Sequence, residues 1–262
     1  AAALIERLPA LEIVSVMGVG YDGIAVAAAK ARGVIVTHTP DVLNDDVADL
    51  AIALMLAAAR QIAAADRHVR TGQWPRAPMP LARKMSGARL GLVGMGRIGQ
   101  AIAQRATAFG MSIAYFARHR RPELNYRFAE SLVALAAESD FLVVITPGGA
   151  ATRGLIDAAV LAALGPTGIL VNVARGSVVD EPALIEALES GALGGAALDV
   201  FATEPNVPER LRALPQVVLT PHIGSATTET RQAMADLAFA NLSEHFAGRA
   251  PLTPVPECQE AQ

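Results

Sequence analysis

A glycine-rich turn between a strand and a helix places the strongest constraint on what this chain can fold into. Residues 90–93 form a short apolar run, typical of a buried parallel strand, and a helical pattern follows as far as Gly110. Three glycines lie between them: Gly94, Gly96 and Gly99. In a dinucleotide fold, the first closes the turn, the second leaves room for a pyrophosphate and the third lets the helix pack on the strand. The spacing predicts such a turn, with Arg97 and Ile98 facing the phosphates.

Strands and helices alternate regularly along the rest of the chain. Apolar runs predict six strands at 90–93, 112–116, 141–145, 168–172, 196–199 and 217–220, with helices near 98–109, 130–138, 156–163 and 181–190. This alternation predicts an α/β fold built on a doubly wound parallel sheet of the Rossmann type. A long apolar helix from Asn44 to about Val69 precedes the sheet, and we expect it to be buried between domains or subunits.

A second, smaller α/β domain is predicted from residues 1–44 and 226–262, with the Rossmann domain spanning 45–225. Two strands, at 12–17 and 34–37, flank a short helix at 24–31. Two strands make a poor sheet alone. Either the start of this domain is absent from the chain, or the C-terminal return, with its helix at 228–246, completes it.

Charge and cysteine content limit the partners and the compartment. The net charge is −3 and no long basic block is present, so no nucleic-acid partner is expected. The longest apolar run, 50–59, is too short to cross a bilayer, so no membrane partner is expected either. A single cysteine, Cys258, excludes a disulfide framework and, with no signal sequence recognised, favours the reducing cytoplasm. No metal ligands are assigned.

Polar residues recur where the predicted strands end. Thr146 and Pro147 follow the third strand, residues 172–176 end the fourth, and Asp199 ends the fifth with Glu204 just beyond. The sixth strand ends in a Thr-Pro-His sequence at 220–222. Ligands bind outside the carboxyl ends of parallel strands, so this recurrence predicts one shared site.

Several blocks carry a resemblance to a known family. The segments 171–180 (VNVARGSVVD), 197–205 (ALDVFATEP) and 219–225 (LTPHIGS) resemble the signature blocks of the D-isomer-specific 2-hydroxyacid dehydrogenases, and the glycine loop and the GVGYD turn at 18–22 also match. The similarity covers nearly the whole chain. It implies an NAD(P)-dependent dehydrogenase with a Rossmann domain and a smaller flavodoxin-like substrate domain whose N-terminal part is apparently missing.

The resemblance assigns catalytic roles to Arg175, Glu204 and His222. His222 would protonate the alkoxide that forms when hydride reaches the keto carbon, because imidazole titrates in the physiological range. Glu204, if it contacts the imidazole, would orient it and favour its charged form. Arg175 would hold the substrate carboxylate and polarise the carbonyl, and the backbone N–H groups of Val19 and Gly20 would bind the other carboxylate oxygen.

The end of the second Rossmann strand indicates which nicotinamide is bound. NAD-specific folds usually place an acidic residue there to bind the ribose 2′-hydroxyl, but this strand ends in Arg118, His119, Arg120 and Arg121. A solvated charge run is the simpler alternative. The missing carboxylate and the arginines instead favour a 2′-phosphate, so NADP(H) is predicted as preferred and NAD(H) as possible. Arg118 is the first candidate for that contact and Arg120 the second, while His119 is also assigned to the site.

The remaining cofactor assignments follow the family pattern. Asp199 would meet the nicotinamide carboxamide, and the rest of the predicted set comprises Thr146, Pro147, Thr152, Val173, Ala174, Gly224 and Ser225. This cofactor pattern most resembles the glyoxylate/hydroxypyruvate reductases within the family. The predicted function is therefore reduction of a small 2-keto acid, glyoxylate or hydroxypyruvate, to the D-2-hydroxy acid.

Two alternatives stay open at this point. The chain could act on lactate-like or aromatic 2-keto acids, or it could be a non-catalytic, nicotinamide-sensing protein like the corepressors that share the scaffold. The apolar helix at 44–69 predicts a homodimer. Three histidines that lack the accompanying motifs found around His222, namely His38, His68 and His245, are interpreted as structural or exposed, and Trp74 as a surface anchor packing on a neighbour.

Overall fold

The computed structural model describes residues 2–259, which form two compact units. One unit contains the residues up to Asp46 and those from Ser225 onward, and the other runs from Val47 to Gly224. The helices are α1 (Ala2–Glu6), α2 (Val26–Ala31), α3 (Asn44–Ala59), α4 (Ile62–Arg70), α5 (Arg97–Thr107), α6 (Leu132–Ala137), α7 (Ala158–Leu164), α8 (Glu181–Glu189), α9 (Glu209–Arg212) and α10 (Thr228–Phe246). The strands are β1 (Ile13–Ser15), β2 (Ile35–Thr37), β3 (Arg89–Val93), β4 (Ser112–Phe116), β5 (Arg127–Phe128), β6 (Phe141–Val144), β7 (Ile169–Asn172), β8 (Gly195–Leu198) and β9 (Val217–Leu219).

The larger unit is built on one parallel sheet in the order β5-β4-β3-β6-β7-β8-β9. Every residue of β6, β7 and β8 is buried, which explains why these strands read as unbroken apolar runs. The strand order reverses between β3 and β6, so a crevice opens there at the carboxyl ends of the strands. The predicted doubly wound α/β fold is confirmed.

The sheet has seven strands, so the prediction of six was one short. The additional strand, β5, contains only Arg127 and Phe128 and pairs with β4 at the edge of the sheet. Phe128 packs edge-on against Tyr115 with 5.4 Å between the ring centroids. A two-residue strand has no periodicity to recognise, and this one is held by pairing and ring packing with a strand distant in sequence.

The single helix predicted over 44–69 is wrong, because α3 and α4 are separate helices bent by 60°. Gln61 between them adopts the left-handed conformation (φ 53°). The carbonyl of Ala59 accepts a hydrogen bond from the N–H of Arg83 at 2.9 Å, where an unbroken helix would use residue 63. The expected burial holds only for α3, since α4 contains no buried residue. Among the described residues no single helix could span a membrane, although this bent pair has the length and composition of a span.

The smaller unit pairs β1 with β2 in parallel and packs α1 and α2 around a core that includes Ile5, Val36 and Val255. The C-terminal segment also joins this unit through its backbone. The N–H of Val255 donates to the carbonyl of Val36 at 2.9 Å, and Pro254 bridges to Thr37. The C-terminal segment therefore pairs with one edge of β2. The functional assignment of the units to residues 1–44 with 226–262 and to 45–225 stays a prediction.

Asp140 joins the amino-terminal ends of β3 and β6 in the larger unit. Its carboxylate accepts hydrogen bonds from the backbone N–H of Arg89 at 2.8 Å and from the guanidinium of Arg89 at 3.1 Å, and Arg83 lies 3.2 Å away. The Arg89 side chain is the main reason that the pKa of Asp140 falls from 3.8 to about 2. The carboxylate is therefore stabilised in the folded chain.

Replacing Asp140 with asparagine is expected to lower the free energy of unfolding by roughly 1–2 kcal/mol at pH 7, after allowance for solvent screening. Because the folded pKa lies below the unfolded one, this stabilisation is complete above about pH 4 and is lost as the pH falls towards 2. Urea unfolding at several pH values measures the difference. The control is Asp66→Asn, which removes an exposed pair with Arg70 and should change stability by less than about 0.5 kcal/mol. A D140N deficit that does not shrink in acid would contradict this account.

Candidate functional site

The strands of the larger sheet end in one aligned row. Val93, the last residue of β3, pairs with Phe116 at the end of β4 and with Val144 at the end of β6. Asn172 at the end of β7 pairs with Val144, and Leu198 then joins Asn172 to β9. Residues that follow the strands therefore lie along one edge, with neighbouring strands about 4.8 Å apart. The sequence places predicted site residues directly after six of these seven strands.

The glycine turn after β3 has the geometry that the spacing predicts. Gly94 has a φ of 109°, and a Cβ there would lie 2.7 Å from the carbonyl oxygen of Ile145. A Cβ on Gly99 would lie 2.6 Å from the carbonyl oxygen of Gly94, so the helix packs tightly on the turn. A Cβ on Gly96 would meet nothing within 4 Å, and no side chain caps the N-terminus of α5 there. The turn thus leaves an open approach to the N-terminus of an 11-residue helix, which suits a pyrophosphate.

The arginine-rich segment follows β4 at the neighbouring position along the edge. The side chains of Arg118, His119 and Arg120 are exposed. The segment turns around Tyr115, whose hydroxyl accepts a hydrogen bond from the N–H of Arg121 at 2.7 Å. No aspartate or glutamate stands at this corner of the sequence before Glu123. The charges present here suit a phosphate better than a ribose hydroxyl.

The residues after β6 form a short loop that is stabilised by a hydrogen bond within it. Thr146 and Pro147 follow Ile145, whose N–H donates to the carbonyl of Val93 at 2.9 Å. The hydroxyl of Thr152 donates to the carbonyl of Pro147 at 2.7 Å, which holds the loop in place. Thr152 therefore stabilises the loop after β6 through this hydrogen bond.

Arg175 stands on a tight loop after β7, beyond Val173 and Ala174. The Asn172 side chain makes two hydrogen bonds to this loop, both at 3.0 Å. Its oxygen accepts the N–H of Ala174, and its amide donates to the carbonyl of Arg175. The next residue, Gly176, is buried directly against the backbone of Phe201, and a Cβ on Gly176 would collide with that carbonyl. The loop that carries Arg175 is therefore packed against the loop that leads to Glu204.

His222 and Glu204 are brought together as the resemblance implied. Nδ1 of His222 lies 2.7 Å from a carboxylate oxygen of Glu204, and the other carboxylate oxygen accepts the N–H of Phe201 at 3.0 Å. The His222 side chain is 49% exposed and that of Glu204 is 34% exposed. Because Nδ1 is engaged by a carboxylate, Nε2 is the nitrogen that remains for exchange with a bound molecule.

Asp199 organises the loop that carries His222. It is only 1% exposed, and its carboxylate accepts hydrogen bonds from the hydroxyl of Thr220 (2.7 Å) and the N–H groups of Ile223 (2.8 Å) and Gly224 (2.9 Å). Its carbonyl also accepts the N–H of His222 at 2.9 Å, although His222 has a φ of 54°, which is unfavourable for a residue with a Cβ. The predicted contact of Asp199 with a nicotinamide stays a prediction, whereas its contacts with the loop are direct.

Three predicted site residues, Val19, Gly20 and Ser225, belong to the smaller unit. Val19 and Gly20 lie in the turn after β1, and both are partly exposed. Within residues 2–259, neither backbone N–H donates a hydrogen bond. Both groups are thus available to an acceptor from outside the chain.

Sequence reasoning assigned no role to three residues that shape these loops: Asn172, Thr220 and His38. Asn172 ends the buried strand β7 and Thr220 directly follows the partly exposed strand β9, so their positions placed them at the shared edge of the sheet but did not reveal their contacts. His38, interpreted as structural or exposed, is partly buried with Nδ1 3.0 Å from the carbonyl oxygen of Val19. Within the described residues, no group of three or more histidine, cysteine, aspartate or glutamate side chains could hold a metal ion.

Comparison with known proteins relates this arrangement to a defined family. Residues 52–224 match the family model described as D-isomer specific 2-hydroxyacid dehydrogenase, NAD binding domain. The chain is 52% identical over 254 residues to hydroxyphenylpyruvate reductase of Plectranthus scutellarioides, and equally to glyoxylate/hydroxypyruvate reductase A of Arabidopsis thaliana. Each match covers 97% of this chain and 81% of the relative.

One solved structure is also similar to this chain. The NADPH-dependent glyoxylate/hydroxypyruvate reductase of Sinorhizobium meliloti, in complex with NADP and malonate, superposes with a TM-score of 0.96 at 48% identity. The match covers 100% of this chain and 84% of that one.

Proposed function

Since this chain belongs to the D-isomer specific 2-hydroxyacid dehydrogenase family, we propose that it reduces glyoxylate or hydroxypyruvate to the D-2-hydroxy acid with NADPH. It is an oxidoreductase of the nicotinamide-dependent class. The observation that carries the proposal is the order of groups along the sheet edge. Along this edge the arginine corner after β4 comes first, the open glycine turn after β3 comes next and the His222 loop after β9 comes last. An extended NADP(H) would need the same order for its 2′-phosphate, its pyrophosphate and its nicotinamide ring.

The residues that would hold NADP(H) are those at the sheet edge. The N-terminus of α5 with Gly96 would take the pyrophosphate, and Arg118 and Arg120 would take the 2′-phosphate. When bound, the nicotinamide supplies the hydride that the reduction needs. NAD(H) lacks the 2′-phosphate but shares the rest of these contacts, so it is also accepted.

His222 donates the proton in the proposed mechanism. Its Nδ1 is held by Glu204 at 2.7 Å, so the imidazole is fixed in orientation and presents Nε2. Proton transfer from Nε2 neutralises the oxygen of the keto group as it becomes an alkoxide. In this mechanism the carboxylate of Glu204 lies beside the positively charged imidazolium before the transfer. The second carboxylate oxygen accepts a hydrogen bond from the Phe201 N–H. The formed His222–Glu204 pair supports an enzyme over a non-catalytic sensing protein.

Arg175 and the turn after β1 are proposed to recognise the carboxylate of the substrate. The guanidinium of Arg175 presents several N–H donors, and its Nη1 donates to the carbonyl of Ala174 at 2.7 Å, which restrains the side chain. The open N–H groups of Val19 and Gly20 are further donors for a carboxylate oxygen. These contacts recognise the feature that every 2-keto acid shares, so they define the class of substrate.

A steady-state screen tests the proposed function. NADPH and NADH are each combined with glyoxylate, hydroxypyruvate, pyruvate and phenylpyruvate, and kcat/KM is measured for every pair. The expected maximum is NADPH with glyoxylate or hydroxypyruvate. A maximum with phenylpyruvate or pyruvate would move the chain to another activity of the same family, and a preference for NADH would remove the argument from the arginines.

Replacing Arg118 with aspartate is expected to raise the KM for NADPH by about 10- to 100-fold, because a charge-assisted contact is replaced by repulsion of the 2′-phosphate. The KM for NADH should change by less than about threefold, since NADH carries no charge at that position. Steady-state titration of both cofactors at saturating glyoxylate measures the two values. Arg212→Asp, which changes an exposed arginine on α9 outside the assigned site, is the matched control. Equal effects on the two cofactors would contradict the assignment.

We further propose that the protein is a cytoplasmic homodimer. The support for a dimer is a set of exposed apolar side chains on α4 and the segment after it, namely Ile62, Val69, Trp74 and Leu81, with Trp74 68% and Leu81 100% exposed. Large apolar side chains left exposed in this way favour burial against a second copy. The single free Cys258 fits a reducing compartment. Light scattering that gives the mass of one chain in solution would contradict the dimer.

A further inference from the structure

The turn after β1 presents two backbone N–H groups, and hydrogen bonds to the carbonyls of the same two peptides fix their directions. The N–H of Val19 belongs to the peptide that carries the Gly18 carbonyl, and the N–H of Gly20 to the peptide that carries the Val19 carbonyl. Within the described residues the only cis peptide is Glu204–Pro205, so both of these peptides are trans. In a trans peptide the carbonyl and the N–H point in opposite directions, so fixing one fixes the other.

Both carbonyls are held by the residues that follow β2. The N–H of Thr39 donates to the Gly18 carbonyl at 2.9 Å. Nδ1 of His38 lies 3.0 Å from the Val19 carbonyl oxygen, and a carbonyl can only accept, so Nδ1 carries the hydrogen. His38 and Thr39 thus hold adjacent peptides of one turn, and they leave the two N–H groups directed away from β2.

The C-terminal segment braces His38 in turn. The hydroxyl of Thr253 donates to the His38 carbonyl at 2.6 Å, and the His38 N–H donates to the Thr253 carbonyl at 3.1 Å. Thr253 is itself bonded to Asn241, which is fully buried on α10: the Asn241 amide donates to the Thr253 hydroxyl at 2.8 Å and its oxygen accepts the Thr253 N–H at 2.9 Å. A continuous hydrogen-bonded path therefore leads from α10 to the Val19 carbonyl.

A second contact ties the same turn to the C-terminal segment. The hydroxyl of Tyr21 donates to the carboxylate of Glu257 at 3.1 Å. Burial and the Glu257 carboxylate raise the pKa of Tyr21, so the phenol stays a donor. The Tyr21 ring also meets the His38 ring edge-on, with 5.4 Å between centroids. The turn is thus held on two sides by residues remote in sequence.

We propose that His38, braced by Thr253 and Asn241, is a positioning residue that directs the Gly20 N–H towards the carboxylate of the substrate. The inference rests on the proposed function, because it takes the bound group to be a 2-keto acid. It gives the C-terminal segment a part in substrate recognition through the backbone of the turn. Since the carboxylate is not the reacting group, this contact contributes equally to the ground state and the transition state, and its loss appears in KM.

Replacing His38 with leucine removes the donor at nearly constant size. We expect the KM for glyoxylate to rise about three- to tenfold, with kcat and the KM for NADPH changed by less than about twofold. His38→Asn should restore the KM to within about twofold of wild type, because the asparagine amide N–H lies at the same side-chain position as Nδ1. Thr253→Val, which removes only the hydroxyl of the brace, should raise the same KM by a smaller factor. His245→Leu is the matched control, since that histidine contacts Glu12 instead of the turn.

A measurement without substrate separates this inference from the proposed function. The heteronuclear ¹⁵N–¹H NOE of the Gly20 amide should fall in His38→Leu and stay at the wild-type value in His38→Asn and His245→Leu. A wild-type protein that reduces no 2-keto acid would refute the proposed function, while the NOE would still decide whether His38 orders the turn. An unchanged KM in His38→Leu with an active wild type, or an unchanged NOE, would overturn the inference. If His38→Leu does not fold, Thr253→Val decides by the same two readouts.

Discussion

Replacing His222 with asparagine is expected to lower kcat for glyoxylate reduction by about 10² to 10⁴, the usual contribution of a general acid. The asparagine amide lies where Nδ1 does, so it can keep the 2.7 Å contact with Glu204 while the proton-donating Nε2 is removed. The variant therefore changes the chemistry with little change in the loop. Steady-state kcat with saturating NADPH and glyoxylate measures the effect.

Two comparisons show whether the loss at His222 is chemical. The affinity for NADPH, measured by fluorescence titration, should stay within about threefold of wild type, because the predicted cofactor contacts are with other residues. His68→Asn makes the same change at a histidine whose Nε2 contacts the Ala77 carbonyl, and it should leave kcat unchanged. A His222→Asn protein that retains a third or more of the wild-type kcat would rule out His222 as the proton donor.

Replacing Arg175 with glutamine is expected to lower kcat/KM for glyoxylate by about 10² to 10³, the loss of two charge-assisted hydrogen bonds. Most of the effect should appear in KM if Arg175 binds only the carboxylate, and a fall in kcat would show that it also polarises the carbonyl. Arg175→Lys keeps the charge but not the planar fork, so its kcat/KM should lie between those of wild type and Arg175→Gln.

The control for Arg175 has to separate charge from position. Arg212→Gln removes the same charge from α9, outside the assigned site, and should leave kcat/KM within about twofold of wild type. Saturation curves for glyoxylate with each variant give both constants. An Arg175→Gln protein with wild-type KM and kcat would exclude the residue from the substrate site.

Much of the fold could be predicted because local patterns encode it. The apolar runs of β6 and β7 are wholly buried strands, and the glycine spacing at 94–99 corresponds to a turn where a Cβ would collide with backbone at two of the three positions. The predicted helix at 228–246 coincides with α10, whose first turn is capped by the side chain of Thr227. Periodicity and capping act over a few residues, so a single sequence reveals them.

The errors lie where distant residues decide the local conformation. The break between α3 and α4 has no glycine or proline to mark it, and it depends on the N–H of Arg83 taking the carbonyl of Ala59. The strand β5 exists because its two residues pair with β4. Both features are set by long-range hydrogen bonds, which leave no local pattern in the sequence.

The candidate site divides in the same way. The sequence alone determined the residue types, because a glycine turn, an arginine loop and a histidine after a strand are each readable from neighbouring residues. Only the tertiary structure decided that the strand ends are in register. It also decided that the Asp199 carboxylate accepts hydrogen bonds from the His222 loop, and that His38 donates to the Val19 carbonyl. These contacts join residues 19 to 24 positions apart or lie between separate strands, so their geometry exists only once the chain has packed.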